Sequence, residues 1–157
     1  MRVVFVCLGN ICRSPLAEGI LRHMVEQKGL QARIQIDSAG TGAWHAGEPP
    51  DRRSVATASQ HGVSLAGQTA RQVTDADYFE SDWLIAMDAS NLTTLERRSP
   101  ARGVQARLEL LMAEPRGANQ DVPDPYYGGE QGFEEVYQMV WSGCQALLAQ
   151  LEKDLNS

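Results

Sequence analysis

The stretch that decides the fold is Val3-Val4-Phe5-Val6-Cys7-Leu8-Gly9-Asn10-Ile11-Cys12-Arg13-Ser14-Pro15. Its first four residues are apolar and mostly β-branched, which predicts a strand buried on both faces of a parallel sheet. Ser14 and Pro15 then favour a helix start, with serine at the N-cap and proline at the first helical position. Residues 7–13 are therefore expected to form a loop between a buried strand and a helix.

The rest of the chain repeats this alternation of short apolar runs and amphipathic segments. We predict further strands at 34–36, 83–87 and 107–111, and helices at 51–61, at 89–97 and along 133–155. Strands that alternate with helices indicate a parallel sheet covered on both faces, which binds ligands at the carboxyl ends of its strands. The length of 157 residues fits one domain, 1–157, rather than two.

The composition excludes several classes of protein. A net charge of −6 argues against a nucleic-acid binder, and 43% hydrophobic residues are too many for a disordered chain. No apolar run approaches the roughly 20 residues of a membrane helix, and the N-terminus lacks the order of a signal peptide. The three cysteines form no disulfide framework. We therefore expect a soluble, cytoplasmic protein with neither nucleic-acid nor membrane partners.

The loop after the first strand carries the residues of a phosphate site. Its backbone N–H groups can turn inward at the positive end of a helix, which favours an oxyanion. Gly9 and Asn10 tolerate the positive φ that such curling requires. The planar fork of Arg13 fits two phosphate oxygens, and the sulfur of Cys7 would lie beneath them as a thiolate. This arrangement predicts attack at phosphorus, although a lone cysteine in a strand is more often part of the core.

Two motifs identify the chain as similar to a known family. Val6-Cys7-Leu8-Gly9-Asn10-Ile11-Cys12-Arg13-Ser14-Pro15 and Asp124-Pro125-Tyr126-Tyr127-Gly128 resemble the low-molecular-weight protein tyrosine phosphatases, in a version similar to the prokaryotic branch. Further segments that look like the family are Asp37–Thr41, Trp44-His45, Gly47–Asp51, Arg71-Gln72 and Ala86–Leu92. The resemblance covers essentially the whole chain. It implies a three-layer α/β fold with four parallel strands in the order 2-1-3-4 and helices on both faces.

The resemblance also implies the catalytic roles. Cys7 would be the nucleophile, Arg13 would bind phosphate and stabilise the transition state, and Asp124 would be the general acid and then the general base. Pro125 restricts the backbone of Asp124 and helps to fix its direction. The remaining residues of the phosphate-binding loop would be Leu8, Gly9, Asn10, Ile11, Cys12 and Ser14. We expect no cofactor and no metal, because the histidines show no ligand spacing and are assigned to surface or packing.

Three further residues are expected to support the site. Ser14 either donates a hydrogen bond to the sulfur of Cys7 or only caps its helix. Asp88 follows a buried strand, where it either orients Arg13 or caps the next helix. Tyr127 belongs to the acid motif and is expected to support it.

Trp44 and Tyr126 are expected to form the walls of a deep slot. Phosphotyrosine would fill such a slot, whereas phosphoserine would not reach the thiolate. The expected partners are therefore phosphotyrosine proteins, a tyrosine kinase, and inorganic phosphate as the product. We expect a monomer or a weak dimer.

Three alternative functions differ from this interpretation in a testable way. Arsenate reductases with a similar loop need two further cysteines in mid-chain, and this chain has none between Cys12 and Cys144. Protein arginine phosphatases share the loop, but Ile11 and Tyr126 favour phosphotyrosine. The anion-binding loop alone would also support a binding module without chemistry, but the presence of Cys7, Arg13 and Asp124 together counts against it.

The second cysteine of the loop suggests regulation. A reactive thiolate oxidises readily, and a neighbouring thiol can trap it as a disulfide. We therefore predict reversible inactivation through Cys7 and Cys12, with a small loop residue as the alternative role of Cys12.

Overall fold

The computed structural model describes residues 1–126 and 130–157, in which four strands alternate with five helices. The strands are β1 (Arg2–Cys7), β2 (Gln35–Gly40), β3 (Trp83–Ala86) and β4 (Arg107–Leu110). The helices are α1 (Arg13–Gln27), α2 (Arg52–Gln60), α3 (Asp75–Glu80), α4 (Ala89–Arg98) and α5 (Glu130–Leu155). None of the helices in these ranges combines the length and the apolar composition that crossing a membrane requires.

The four strands form one parallel sheet in the order β2-β1-β3-β4. β1 is central, pairing Cys7 with Gly40 of β2 and Val6 with Ala86 of β3. The predicted strand order 2-1-3-4 is confirmed. Because all strands run the same way, their carboxyl ends meet at one edge of the sheet.

Helices cover both faces of the sheet, and β1 supplies side chains to both cores. Phe5 and Cys7 point towards the layer of α1, α2 and α5. Val6 points to the opposite face, where it packs with Tyr78 of α3 and Leu95 of α4. The alternation follows from the two-residue period of a strand, and it explains why the whole of Val3–Val6 is apolar.

Several boundaries differ from those that the sequence predicts. α1 begins at Arg13 with Cys12 at its N-cap, so the prediction of Ser14 as N-cap is wrong. Pro15 is tolerated there because the first helical turn needs no intrahelical N–H donor. The sequence analysis also missed α3, a short helix whose N-terminus is capped by a capping box between Thr74 and Asp77.

The segments that follow the strands are joined by backbone hydrogen bonds at the carboxyl edge. The N–H of Thr41, after β2, donates to the carbonyl of Cys7 at 2.9 Å. The N–H of Met87, after β3, donates to Val6 at 3.0 Å, and the N–H of Val122 donates to Met87 at 2.8 Å. Segments that are distant in sequence are thus held around the end of β1.

Candidate active site

The loop of residues 8–12 wraps around the sulfur of Cys7, which is 3% exposed at the end of β1. Asn10 is the turning point of the loop, with a φ of 56°, whereas Gly9 does not adopt a positive φ. This turn brings the N–H of Asn10 to 3.3 Å from Cys7 Sγ. The side chain of Ser14, in the first turn of α1, lies on the same sulfur with an Oγ–Sγ distance of 3.0 Å.

The side chain of Asn10 fixes the loop from behind. Its Oδ1 accepts a hydrogen bond from the backbone N–H of Arg71 at 3.0 Å. Because that N–H can only donate, the amide of Asn10 has one orientation, with Nδ2 directed at two serines. Nδ2 donates to Ser14 Oγ at 2.8 Å and to Ser38 Oγ at 2.9 Å. Both polar atoms of this buried side chain are therefore hydrogen-bonded.

These donations limit where the two hydroxyl protons can point. Ser38 accepts from Asn10 and donates to the carboxylate of Glu18 at 2.6 Å. Ser14 also accepts from Asn10, so its own proton can go to the sulfur of Cys7 at 3.0 Å or to the carbonyl of Ala39 at 3.5 Å. Burial raises the pKa of the Glu18 carboxyl, although its hydrogen bond from Ser38 works in the opposite direction. The sulfur is the nearer of the two acceptors, so Ser14 is positioned to donate to it, and its side chain does not cap α1.

Arg13 lies beneath the pocket, 2% exposed, with an acidic residue on either side. Its Nη1 donates to Asp88 Oδ2 at 2.6 Å and to the carbonyl of Val122 at 3.0 Å. Burial alone would lower the pKa of the guanidinium, but the negative charges of Cys7 and Asp88 outweigh it and raise the pKa. Arg13 is therefore a fixed positive charge beside the sulfur.

Asp88 fills both roles that the sequence leaves open. One oxygen of its carboxylate, Oδ2, holds Arg13, while Oδ1 accepts the N–H of Asn91 at 2.7 Å and caps α4. The residue stands at this place because β3 ends beside β1 at the carboxyl edge of the sheet.

Asp124 approaches the same site from the segment after β4. Its Oδ2 lies 3.6 Å from Arg13 Nη2, and its side chain is 42% exposed. Its Oδ1 accepts the N–H of Tyr126 at 3.0 Å, which is the turn that an aspartate before a proline commonly makes. Tyr127, expected to support this motif, lies outside the described residues.

A pocket of about 280 Å³ opens above the sulfur. It is lined by Cys7, Leu8, Gly9, Ile11, Cys12, Arg13, Trp44, His45, Asp124 and Tyr126. The structure thus brings together the predicted nucleophile, arginine, acid and aromatic walls. Trp44 is 72% exposed and forms an open rim rather than a closed wall.

His45 also lines this pocket, although its sequence pattern assigned it to surface or packing. Its ring centroid lies 6.3 Å from that of Tyr126, and its Nδ1 bonds to the carboxylate of Glu48. A Cβ atom at Gly9 would come within 3.0 Å of this ring, so glycine makes room for it. The sequence contains one hint that His45 lines the pocket, namely its position next to Trp44. An irregular loop has no periodic pattern from which the direction of a side chain could be predicted.

Cys12 differs from Cys7 in its surroundings. Burial raises the pKa of its thiol to about 12, and the neighbouring charges of Asp51 and Cys7 act in the same direction. Its carbonyl accepts a hydrogen bond from Ser54 Oγ of α2 at 3.3 Å. Cys12 is therefore a neutral thiol on the α2 side of the loop.

Potential metal ligands are dispersed. Among residues 1–126 and 130–157, no three side chains of His, Cys, Asp or Glu are grouped so that they could hold a metal ion. The charged side chains near Cys7 are those of Arg13 and of Asp88 and Asp124, with which Arg13 forms ion pairs.

Comparison with known proteins gives consistent matches along the whole chain. The model of the family described as "Low molecular weight phosphotyrosine protein phosphatase" matches residues 2–157. Low molecular weight protein-tyrosine-phosphatase YfkJ of Bacillus subtilis is 44% identical over 152 residues, covering 97% of this chain and 96% of that protein. The crystal structure of YfkJ superposes with a TM-score of 0.88 at 42% identity, covering 98% and 96% of the two chains. The crystal structure of DARP, the drosophila arginine phosphatase, superposes with a TM-score of 0.87 at 33% identity, covering 96% and 98%.

Proposed function

Because the chain belongs to the low molecular weight phosphotyrosine protein phosphatase family and is a protein-tyrosine-phosphatase, we propose that it hydrolyses phosphotyrosine through a phosphocysteine on Cys7. One observation carries this proposal. The sulfur of Cys7 and the buried guanidinium of Arg13 share a pocket whose other side holds the carboxyl group of Asp124, 3.6 Å from Arg13.

In the first step, the thiolate of Cys7 attacks phosphorus and the bond from phosphorus to the phenolic oxygen breaks. Asp124 gives its proton to the departing oxygen, so that tyrosine leaves as a neutral phenol. Arg13 and the N–H groups of residues 8–13 stabilise the charge on the three equatorial oxygens. Ser14 supports the step because its hydroxyl proton stabilises the sulfur as a thiolate.

In the second step, water attacks the phosphocysteine. Asp124, now a carboxylate, takes a proton from this water while the bond from phosphorus to sulfur breaks. The products are inorganic phosphate and the thiolate of Cys7. We propose that the reaction is independent of metal and cofactor, since Cys7, Arg13 and Asp124 supply the nucleophile, the positive charge and the proton.

The proposed function extends to the rest of the phosphate-binding loop, to the substrates and to the oligomeric state. Leu8, Gly9, Asn10, Ile11 and Cys12 would complete the phosphate-binding loop within a single domain that spans 1–157. The substrates would be phosphotyrosine proteins in the cytoplasm, a tyrosine kinase among them. The enzyme would work as a monomer or a weak dimer.

Specificity for phosphotyrosine rests on the rim of the pocket. Trp44 and Tyr126 offer aromatic surface on which a phenyl ring can stack while its phosphate reaches Cys7. A phosphoserine side chain is too short to span this depth. The likeness to an arginine phosphatase makes phosphoarginine the alternative substrate to test.

We also propose that oxidation inactivates the enzyme reversibly. Hydrogen peroxide would oxidise the thiolate of Cys7 to a sulfenic acid. The thiol of Cys12 would then displace its oxygen, giving a disulfide and water. In a Cys12→Ser variant, peroxide should cause a loss of activity that thiol treatment restores incompletely; full recovery, equal to that of the unaltered enzyme, would contradict the proposal.

The function is tested by hydrolysis of p-nitrophenyl phosphate across pH, with phosphotyrosine and phosphoarginine peptides alongside. We expect Cys7→Ser to lose on the order of a thousandfold or more in rate while it still binds phosphate. Asp124→Asn should lose about a hundredfold on phosphotyrosine, because the leaving oxygen no longer receives a proton. Preference for the phosphoarginine peptide would change the substrate, and full activity of Cys7→Ser would refute the mechanism.

A further inference from the structure

Arg53, in the first turn of α2, links the two halves of the catalytic site. Its Nε and Nη2 donate to the two oxygens of Asp51, each at 3.1 Å, and Nη2 also donates to the carbonyl of Tyr126 at 2.9 Å. Only a planar fork can hold a carboxylate with two nitrogens and still reach a third acceptor. A lysine, as a single point of charge, could not make this set of bonds.

The same end of α2 is attached to the phosphate-binding loop. The backbone N–H of Asp51, the N-cap of α2, donates to the carbonyl of Ile11 at 2.7 Å. The hydroxyl of Ser54 donates to the carbonyl of Cys12 at 3.3 Å. Asp51 is thus fixed to the nucleophile side of the site. Burial alone would raise the pKa of its carboxyl, but hydrogen bonds from Arg53 outweigh this and lower the pKa, so the pair stays charged.

On its other side, Arg53 is held against the acid motif. Its guanidinium carbon lies 5.5 Å from the ring centroid of Tyr126 and 4.6 Å from that of the buried Phe133 in α5. Such cation–π contacts fix the plane of the guanidinium. Tyr126 thus has two contacts. Its carbonyl accepts the hydrogen bond from Arg53, and its N–H donates to Asp124 Oδ1 at 3.0 Å.

We propose that Arg53 is a positioning residue for the reaction, since it holds the backbone of Tyr126 at its carbonyl and thereby positions the N–H that binds the carboxyl group of Asp124 relative to the phosphate-binding loop. The carboxyl group needs such support because its own side chain is 42% exposed. A displacement of about 1 Å in a reacting group can cost about a hundredfold in rate. The inference rests on the proposed function, in which Asp124 is the proton donor.

Two substrates that differ in their need for the acid test this role. Phenyl phosphate has a poor leaving group that needs a proton, whereas 4-nitrophenyl phosphate needs it much less. We expect Arg53→Ala to lower kcat/KM about ten- to a hundredfold for phenyl phosphate and by a clearly smaller factor for 4-nitrophenyl phosphate. Arg53→Lys should show the same pattern more weakly. Inhibition by inorganic phosphate should be unchanged, because the phosphate-binding loop is intact.

Arg52→Ala is the matched control, because it removes the same charge from the adjacent, exposed position of α2 and should alter neither substrate. Should Arg53→Ala fail to fold, as judged by thermal unfolding, Arg53→Lys and Asp51→Asn carry the test, since asparagine still caps α2. Equal losses on both substrates, or no loss, would overturn the inference.

A double-mutant cycle separates this inference from the proposed function. In the Asp124→Asn background, Arg53→Ala should cause no further loss on phenyl phosphate, because the group that it positions is already disabled. Additive losses would overturn the positioning role. An unaltered dependence on the leaving group in Asp124→Asn alone would instead refute the acid role of Asp124.

Discussion

The nucleophile loop (residues 7–14) and the acid loop (residues 122–126) meet in one pocket but are built differently. The nucleophile loop is buried except at Leu8 and Gly9, and Asn10 at its centre uses both polar atoms of its side chain. In the acid loop, the carboxylate of Asp124, the proposed proton donor, is 42% exposed, and among residues 1–126 and 130–157 it is held by the N–H of Tyr126 and by a 3.6 Å ion pair with Arg13.

This difference fits the proposed reaction, in which the two loops have different tasks. The oxygens around phosphorus must meet a rigid set of donors, because such preorganisation lowers the barrier without reorganisation during the reaction. The acid must deliver a proton to a leaving group and then receive one from water, so it needs contact with solvent. The nucleophile loop is anchored through the buried side chain of Asn10 and through its own carbonyls, whereas the described acid loop is anchored through the Tyr126 carbonyl, which Arg53 binds.

The largest expected effect concerns the two cysteines of the nucleophile loop. Because burial raises the pKa of Cys12 to about 12, only about one part in ten thousand of this thiol is ionised at about pH 8. Iodoacetamide should therefore label Cys7 and leave Cys12 unlabelled, with labelling of Cys12 rising only as the pH approaches its pKa. Tandem mass spectrometry locates the label. Equal labelling of both thiols at about pH 8 would contradict the assigned burial.

The next effect compares the stability of the two loops. Asn10→Ala should lower the free energy of unfolding by about 4 kcal/mol, since it leaves buried partners unpaired and places alanine at a positive φ. Asn10→Gly lacks the same hydrogen bonds but tolerates the positive φ, so it should be about 1 kcal/mol more stable than Asn10→Ala. Asp124→Ala should change the same free energy by less than about 0.5 kcal/mol. Denaturant unfolding measures all three free energies. A loss in Asp124→Ala as large as that in Asn10→Ala would contradict the difference in stability between the two loops.

The smallest effect lies where the two loops meet, at Arg13. Asp88→Asn keeps a cap on α4 but weakens the charged hydrogen bond that orients the guanidinium, so kcat/KM should fall about tenfold. Phosphate inhibition should change less, because the variant also removes a negative charge that repels phosphate. Steady-state kinetics with phosphate as inhibitor checks this. A larger change in phosphate affinity than in kcat/KM would mean that Asp88 acts through charge alone.

The loop after β1 could be predicted from the sequence more fully than the elements around it. The loop after β1 was predicted with its strand, its turn residue and its arginine, because all of them are close in sequence. The start of α1 was misplaced because Ser14 and Pro15 fit the preferences for helix starts, which describe local chain geometry and not the sulfur that Ser14 contacts. α3 was missed because six residues are too few for a periodic pattern.

Contacts between distant residues were beyond the sequence alone. The sequence offered the two roles of Asp88 as alternatives, and only the structure shows that one carboxylate both caps α4 and holds Arg13. His45 entered the pocket through the path of an irregular loop, and Arg53 acquired its role only where α2 meets the acid loop. Each depends on how helices pack against the sheet.

The sequence by itself therefore indicated a protein-tyrosine-phosphatase and, through its resemblance to a family, the strand order. The proposed nucleophile, the turn and the arginine within residues 7–13 need only local backbone geometry to come together. Tertiary structure alone decided how Asp124, Asp88 and Arg53 are arranged around that loop. The physical reason is that the parallel sheet brings the carboxyl ends of its strands to one edge, while side-chain packing sets the distances across that edge.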